Sequence, residues 1–209
     1  MAILHKATLT PSKDELLNAH VATIPALADV VGTDLSRIAA YRFDDPAGEV
    51  GVETHLLQRD SGPVAQIPLT YRGSPLAGAD EWLVDTMDHS VLGKRWVYNA
   101  CGDPVYVSEL LRAILTGGTQ VEQYLETDEG PVLVEPTARV IGSGTPGTPV
   151  PIIDAVLAHL QGTDTVVTAG GWELVVRHLI VDHPAATGPS LSGTWPSNET
   201  PVLLAFIRP

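Results

Sequence analysis

The chain has one thiol, Cys101, in a run that reads HSVLGKRWVYNACGDPVY from His89 to Tyr106. A thiolate nucleophile needs a base within reach, usually histidine, and an acid that orients the base. His89 or His178, with Asp103, would complete such a set. The competing reading makes Cys101 a small buried residue where a strand passes into a helix, as its neighbours Asn99-Ala100 and Gly102-Asp103-Pro104 suggest. Acids come in pairs: Asp44-Asp45, Asp80-Glu81, and Asp85 with Asp88. Glycoside cleavage needs two carboxylates facing each other across a sugar. Asp44-Asp45, however, sits in DDPAG, where aspartate first bonds its own turn backbone. His178, Asp182 and His183 have the composition of a two-histidine, one-carboxylate metal centre. In a strand, histidines five residues apart point to opposite faces. No metal and no cofactor is expected.

Recognition suits the remaining residues better. Sugars are bound by stacking on Trp or Tyr while Asp, Asn and Arg fix their hydroxyls. The binding candidates are Tyr71, Arg72, His89, Arg95, Trp96 and Tyr98, and with Trp82 the aromatic and basic members are expected to line one concave sheet face. On KRWVYNA, alternation puts Arg95, Val97 and Asn99 on one side and Trp96 and Tyr98 on the other. The plainer reading of Trp96 and Tyr98 is core packed on the first helix. That leaves Arg72, His89 and Arg95 as surface groups for a ligand or partner.

These residues need a scaffold, and composition narrows what it is. The chain has 209 residues, one cysteine, 17 prolines and 19 glycines, so many turns and short elements are expected and an internal disulfide is excluded. The 12 Lys and Arg against 25 Asp and Glu give a net charge of −13, which repels phosphate backbones and anionic membranes. No nucleic-acid or membrane partner is expected. The opening MAILHKATLTPSKDE has no continuous apolar core, which predicts a cytoplasmic protein.

A short strand over AILHKATL precedes a helix in TPSKDELLNAHV, with Thr10 as its cap and Pro11 in its first turn. LSRIAAYRF, EVGVETHLLQR, PVAQIPLTYR, DEWLVDTMDH and KRWVYNA then read as strands joined by short turns, an antiparallel meander. Asp103-Pro104 opens a second helix that ends at Gly117-Gly118. Strands are expected over QVEQYLET and PVLVEPTARVI, a short helix over IIDAVLAHL, and strands over DTVVTA, GWELVVRHLIV and ETPVLLAFI. DHPAATGPSLSGTWPSN reads as a loop. The fold class is α+β: a curved, mostly antiparallel sheet meander packed against two or three helices.

Four blocks in order, ATLTPSKDELL, RFDDPAGEVGVET, IPLTYRGSPLAGADEWLV and HSVLGKRWVYNACGDPVY, resemble the N-terminal cap domain of actinobacterial maltokinases and their glucosamine-kinase relatives. They are even more similar to stand-alone cap-like proteins of comparable length. The resemblance covers Met1 to Leu115 and implies a cap-like domain over 1–115, followed by a β-rich extension over 116–209. That extension either resembles the start of the kinase intermediate lobe or continues the same sheet. The glycine- and proline-rich stretch 142–149 is similar in position to the start of that lobe. It can be read as a degenerate phosphate cradle, although three prolines, Pro146, Pro149 and Pro151, remove amide donors around it.

No histidine is followed two residues later by aspartate, so a His-x-Asp catalytic loop is missing and phosphoryl transfer by this chain is not expected. The chain is also too short for the barrel of a branching enzyme. The resemblance implies a non-catalytic accessory protein docking on a sugar kinase or another enzyme of α-glucan, trehalose or amino-sugar metabolism. The alternative is a small-molecule domain holding sugar or nucleotide in the sheet's concavity, and the third option is an enzyme of unrecognised type.

Overall fold

The computed structural model describes residues 2–4, 6–127, 129–181 and 188–208. Strands β1 (Ala2–Leu4) and β2 (Leu9–Thr10) lead to helices α1 (Lys13–Ala22) and α2 (Pro25–Val31). Strands β3 (Ser36–Asp44), β4 (Gly51–Gln58), β5 (Val64–Arg72), β6 (Leu83–His89) and β7 (Gly93–Asn99) follow, then helix α3 (Pro104–Thr116). Next come β8 (Gln123–Thr127), β9 (Gly130–Val134), β10 (Arg139–Gly142), β11 (Leu157–Gln161) and β12 (Asp164–Ala169). Strands β13 (Trp172–Arg177), β14 (Leu179–Ile180), β15 (Ser190–Trp195) and β16 (Asn198–Ile207) complete the fold.

The class is α+β, with mostly antiparallel sheets, one of them curled into a half-barrel, and three helices. The first sheet has the order β2-β6-β7-β5-β4-β3, with β14 added to β5. It is not a simple meander, because β7 rather than β6 lies beside β5. The loop 73–82 is long enough to carry the chain past one strand position, and β6 and β7 then close as a hairpin. The second sheet has the order β10-β15-β16-β13-β12-β11, and a small third sheet joins β9, β8 and the parallel strand β1.

Helix α1 starts at Ser12, not at Thr10. Ser-Lys-Asp-Glu is a capping box: Ser12 Oγ accepts the Glu15 N–H at 3.3 Å, and the Ser12 N–H donates to Glu15 Oε2 at 2.9 Å. Leu16, Leu17 and Val21 of α1, with Leu27 and Val31 of α2, cover Leu57, Ala65, Ile67, Leu69 and Val97 of the first sheet. Each such large apolar side chain contributes about 2 kcal/mol on burial.

The other face of that sheet packs on α3 and the second sheet. Ala39, Tyr41, Val52 and Leu56 meet Tyr106, Leu110 and Ile114 of α3 and Val167, Leu174 and Leu191 of the second sheet. The described residues of β10 to β16 thus share one core with the first half, and β14 joins its sheet.

Five further local expectations are corrected. AILHKATL is two strands, β1 in the third sheet and β2 in the first, and GWELVVRHLIV is two as well, β13 in the second sheet and β14 in the first. IIDAVLAHL is not a helix: Leu157–Gln161 is strand β11, because the Gly162 turn folds it onto β12 in a hairpin register. Pairing with a neighbouring strand overrides an apolar spacing that also suits a helix. PVLVEPTARVI is two strands in different sheets, divided at Pro136, which lacks an amide donor. Ser190–Trp195, read as loop, is a central strand whose small residues hide its alternation. Leu191, Gly193 and Trp195 are buried, and a Cβ on Gly193 would lie 2.7 Å from Leu204 Cδ1.

Stretch 142–149 spends its amides on the protein itself. Gly144 and Thr145 N–H groups donate to the Ile114 and Leu115 carbonyls at 2.8 and 3.0 Å, and Gly142 donates to Gly118 at 2.9 Å. A Cβ on Gly142 or Gly144 would sit 1.8 or 2.0 Å from helix carbonyl oxygens. Glycine is there to let the loop satisfy the C-terminal carbonyls of α3. Those amides face the helix end, so they form no phosphate cradle.

Candidate site: a polar cleft on the concave sheet

Alternation divides the six candidate residues between two faces. Tyr71, His89 and Arg95 line a cleft of about 540 Å³ on the concave face, beside the start of α1. Arg72, Trp96 and Tyr98 point away from it. Arg72 makes a bidentate pair with the fully buried Asp103, Nε to Oδ2 and Nη2 to Oδ1, both at 2.6 Å. The Asp103 pair raises the Arg72 pKa, and Asp103 also caps α3 by accepting the Val105 N–H at 3.0 Å. That arginine serves the fold. Tyr98 is buried and accepts the Leu76 N–H at 2.8 Å, while Trp96 carries the Lys94 ammonium 5.2 Å from its ring centroid. Val97, not Tyr98, packs against the first helix. Trp82 lies over Gly102, where a Cβ would fall 2.1 Å from its ring. One concave face cannot hold all of these, because neighbouring strand residues point in opposite directions.

The floor of the cleft comes from residues that the sequence reading passed over. On β4, Glu53 and His55 share the face of Leu57 but lie beyond the reach of the helical cover. Lys13, in the first turn of α1, reaches across to form an ion pair with Glu53. His55 Nε2 lies 3.0 Å from the Tyr71 hydroxyl and 3.8 Å from Glu53 Oε2. The Lys13 ammonium sits 5.4 Å from the centre of the Tyr71 ring, a cation–π contact. Arg42, opposite Glu53 in the β3–β4 register, completes the group. A polar pair at alternate positions of a central strand, Glu53 and His55 in GVETHLLQ, is the signal that could have found this floor.

Burial sets the charge states. It works to raise the Glu53 carboxyl, but His55, Lys13 and Arg42 outweigh it and hold that group well below the usual carboxylate range. Burial drives His55 down to about 3, against the pull of Glu53, so its ring is neutral at ordinary pH. Tyr71 is pushed well above the ordinary phenol value, first by burial and then by the Glu53 charge. The persistent ion pair is therefore Lys13–Glu53, and Tyr71 is held by its hydroxyl while its ring borders the cleft.

The rim is turn chemistry. Asp45 accepts the N–H groups of Ala47, Glu49 and Val50 at 3.0, 2.9 and 2.9 Å, which folds DDPAG over the cleft mouth. His89 Nδ1 accepts the Val91 and Leu92 N–H groups at 3.2 and 3.1 Å, and Arg95 Nη2 donates to the Leu92 carbonyl at 2.5 Å.

Residues 28–103 match the family model for the maltokinase N-terminal cap domain. The chain carries a maltokinase cap domain. Its matched segment begins inside α2 and ends at Asp103, the cap of α3, and it supplies every cleft residue discussed above except Lys13. The cap domain is linked to carbohydrate metabolism. No curated protein matches the chain.

The other constellations take different places. Cys101 is fully buried at the turn between β7 and α3, and burial pushes its thiol up to about 12, with the Thr165 hydroxyl pulling the other way. His178 Nε2 lies 2.8 Å from Thr165 Oγ1, and its Nδ1 lies 2.9 Å from the Gln66 carbonyl. A protonated thiol in a dry core is no nucleophile. Asp182 and His183 lie outside the described residues. Among the described residues, no group of three His, Cys, Asp or Glu could hold a metal, and no helix is long and apolar enough to cross a membrane.

Proposed function

We propose that this protein is a non-catalytic binding module of α-glucan, trehalose or amino-sugar metabolism whose cap-domain cleft receives a small hydroxyl-rich ligand. The observation that carries this reading is the cleft itself. It offers guanidinium donors, carboxylate acceptors and a tyrosine ring on a floor already fixed by Lys13, Glu53 and His55. Hydroxyls of a sugar both donate and accept, so mixed polar walls suit them, and the volume fits one or two sugar rings. Preorganisation lowers the ordering cost of binding.

Calorimetry with maltose, glucosamine and ATP tests the reading. Saturable binding of a sugar, weakened about tenfold or more by Tyr71→Ala, is expected from loss of a stacking platform. Absence of heat from every probe would remove it.

A second reading, docking on a sugar kinase or a glucan or trehalose enzyme, is favoured by the free edge of β11. Among the described residues that strand pairs only with β12, and it exposes Leu157 and Leu160, with Ile152 exposed just before it. An affinity pull-down from the protein's own cell extract tests it. Stoichiometric recovery of such an enzyme, lost in Leu157→Lys, is the expected result, and recovery of none would count against docking.

A further inference from the structure

Carboxylates outnumber basic side chains in this chain by 25 to 12. An arginine therefore finds an acid easily, and the described arginines bear this out with two exceptions. Every other one lies within 4.0 Å of a carboxylate oxygen. The exceptions are Arg42 and Arg95, and both line the same cleft. Each is half-buried, and each has a buried Nε–H with no hydrogen-bond partner among the described residues. Of the four carboxylates that line the cleft with them, Glu53 is paired with Lys13 and Asp45 takes three backbone amides, while Asp44 and Glu49 form the acidic rim.

Leaving a buried charged donor unsatisfied is costly, and a native structure that does so at two points of one cleft calls for acceptors from outside. We infer that the cleft ligand carries an anionic oxygen group, carboxylate or phosphate, that is held by the Arg42 or Arg95 guanidinium while its hydroxyls meet Tyr71 and the acidic rim. Guanidinium is the side chain best matched to either group, because its planar fork of donors takes two oxygens at once. The two arginines stand on β3 and β7, on opposite sides of Tyr71 on β5, so they bracket the ligand from both ends. This inference rests on the reading of the cleft as a small-molecule site and adds the charge class of what enters it.

The test compares matched probes on the full chain. Glucose and maltose are the neutral set; gluconate supplies a carboxylate and glucose 6-phosphate a phosphate, with inorganic phosphate as the bare ion. The expected result is that one anionic sugar binds at least about tenfold more tightly than its neutral counterpart, the size of a charge-assisted bond. Arg42→Gln or Arg95→Gln should erase that advantage, Arg42→Lys or Arg95→Lys should keep part of it, and Arg59→Gln, at the turn after β4, should leave it intact. Thermal melts of each variant establish that it is folded.

Preference for gluconate over glucose 6-phosphate, or the reverse, names the source of the oxygens. Equal binding of neutral and anionic sugars, untouched by the arginine variants but lost in Tyr71→Ala, overturns the inference and leaves the cleft reading standing. Binding of inorganic phosphate as tight as that of either anionic sugar overturns the place given to the hydroxyls. No binding of any probe overturns both the inference and the reading beneath it.

Discussion

The concave face of the first sheet has two ends made from the same strands, and they are built on opposite principles. At one end Leu57, Ala65, Ile67 and Leu69 lie dry beneath α1 and α2. At the other, Arg42, Glu53, Tyr71 and Arg95 line the cleft, with His55 fully buried against the Tyr71 hydroxyl. A strand supplies a side chain to this face at every second position whatever the chemistry, so the change from leucine to charge marks where helix gives way to opening. Lys13 marks the boundary. It belongs to the covering helix, yet its ammonium serves the uncovered end.

The contrast can be broken from either end. Ile67→Ala, in the dry half, should destabilise the protein by about 3 kcal/mol in denaturant unfolding, the usual cost of a buried aliphatic truncation, and leave ligand affinity unchanged. A cost under about 1 kcal/mol would mean that α1 and α2 are not a fixed cover. Glu53→Ala should cost about 2 kcal/mol. That is less than for a fully buried pair, because Lys13 is partly exposed and can turn to water. It should also loosen Tyr71 and weaken cleft binding, which Ile67→Ala does not do.

Acid sharpens the same division. His55 has its folded-state pKa lowered from 6.5 to about 3, so the unfolded chain takes up its proton first. Its contribution to stability is full above 6.5 and is lost as pH falls toward about 3. Glu53, lowered from 4.5, adds a loss in the same direction below that value. Denaturant unfolding from pH 7 to 4 should therefore show falling stability, and His55→Gln should flatten that slope. His20, lowered to about 4 by burial and by His178, and His178 itself, lowered by burial, titrate the same way and contribute to the slope that remains. An unchanged slope in His55→Gln would place the proton uptake elsewhere. The smallest effect belongs to Asp14→Asn, next to Lys13 on α1. Its ion pair with Arg37 is 3.9 Å long and exposed, so about 0.5 kcal/mol or less is expected.

Much of the scaffold was legible in the residues. Asp103-Pro104 and Gly117 bounded α3 correctly, and DDPAG was turn chemistry carried by Asp45. The strands of the first sheet fell where alternation and turn residues put them. What was misread shares a cause: Leu157–Gln161 and Ser190–Trp195 take their form from neighbours distant in the chain, and local pattern carries no record of them. The site divided in the same way. Tyr71, His89 and Arg95, picked by residue type, are the candidates that line the cleft. Arg42, Glu53 and His55 were not among them: the alternating polar pair Glu53 and His55 was a local signal, but only the fold brings Lys13 of α1 onto it.

By itself the sequence determined the class of fold, the cap-like segment and most of the strands along it, though not their order in the sheet, since periodicity, turn residues and helix caps act over a few residues at a time. Only the tertiary structure decided which of two adjacent strand residues faced the cleft, which arginines have no carboxylate oxygen within 4.0 Å among the described residues, and which end of the sheet stayed open. Those outcomes depend on where α1 stops covering the sheet and on pairings between residues far apart in sequence. Packing sets that geometry, and it exists only once the chain has closed on itself.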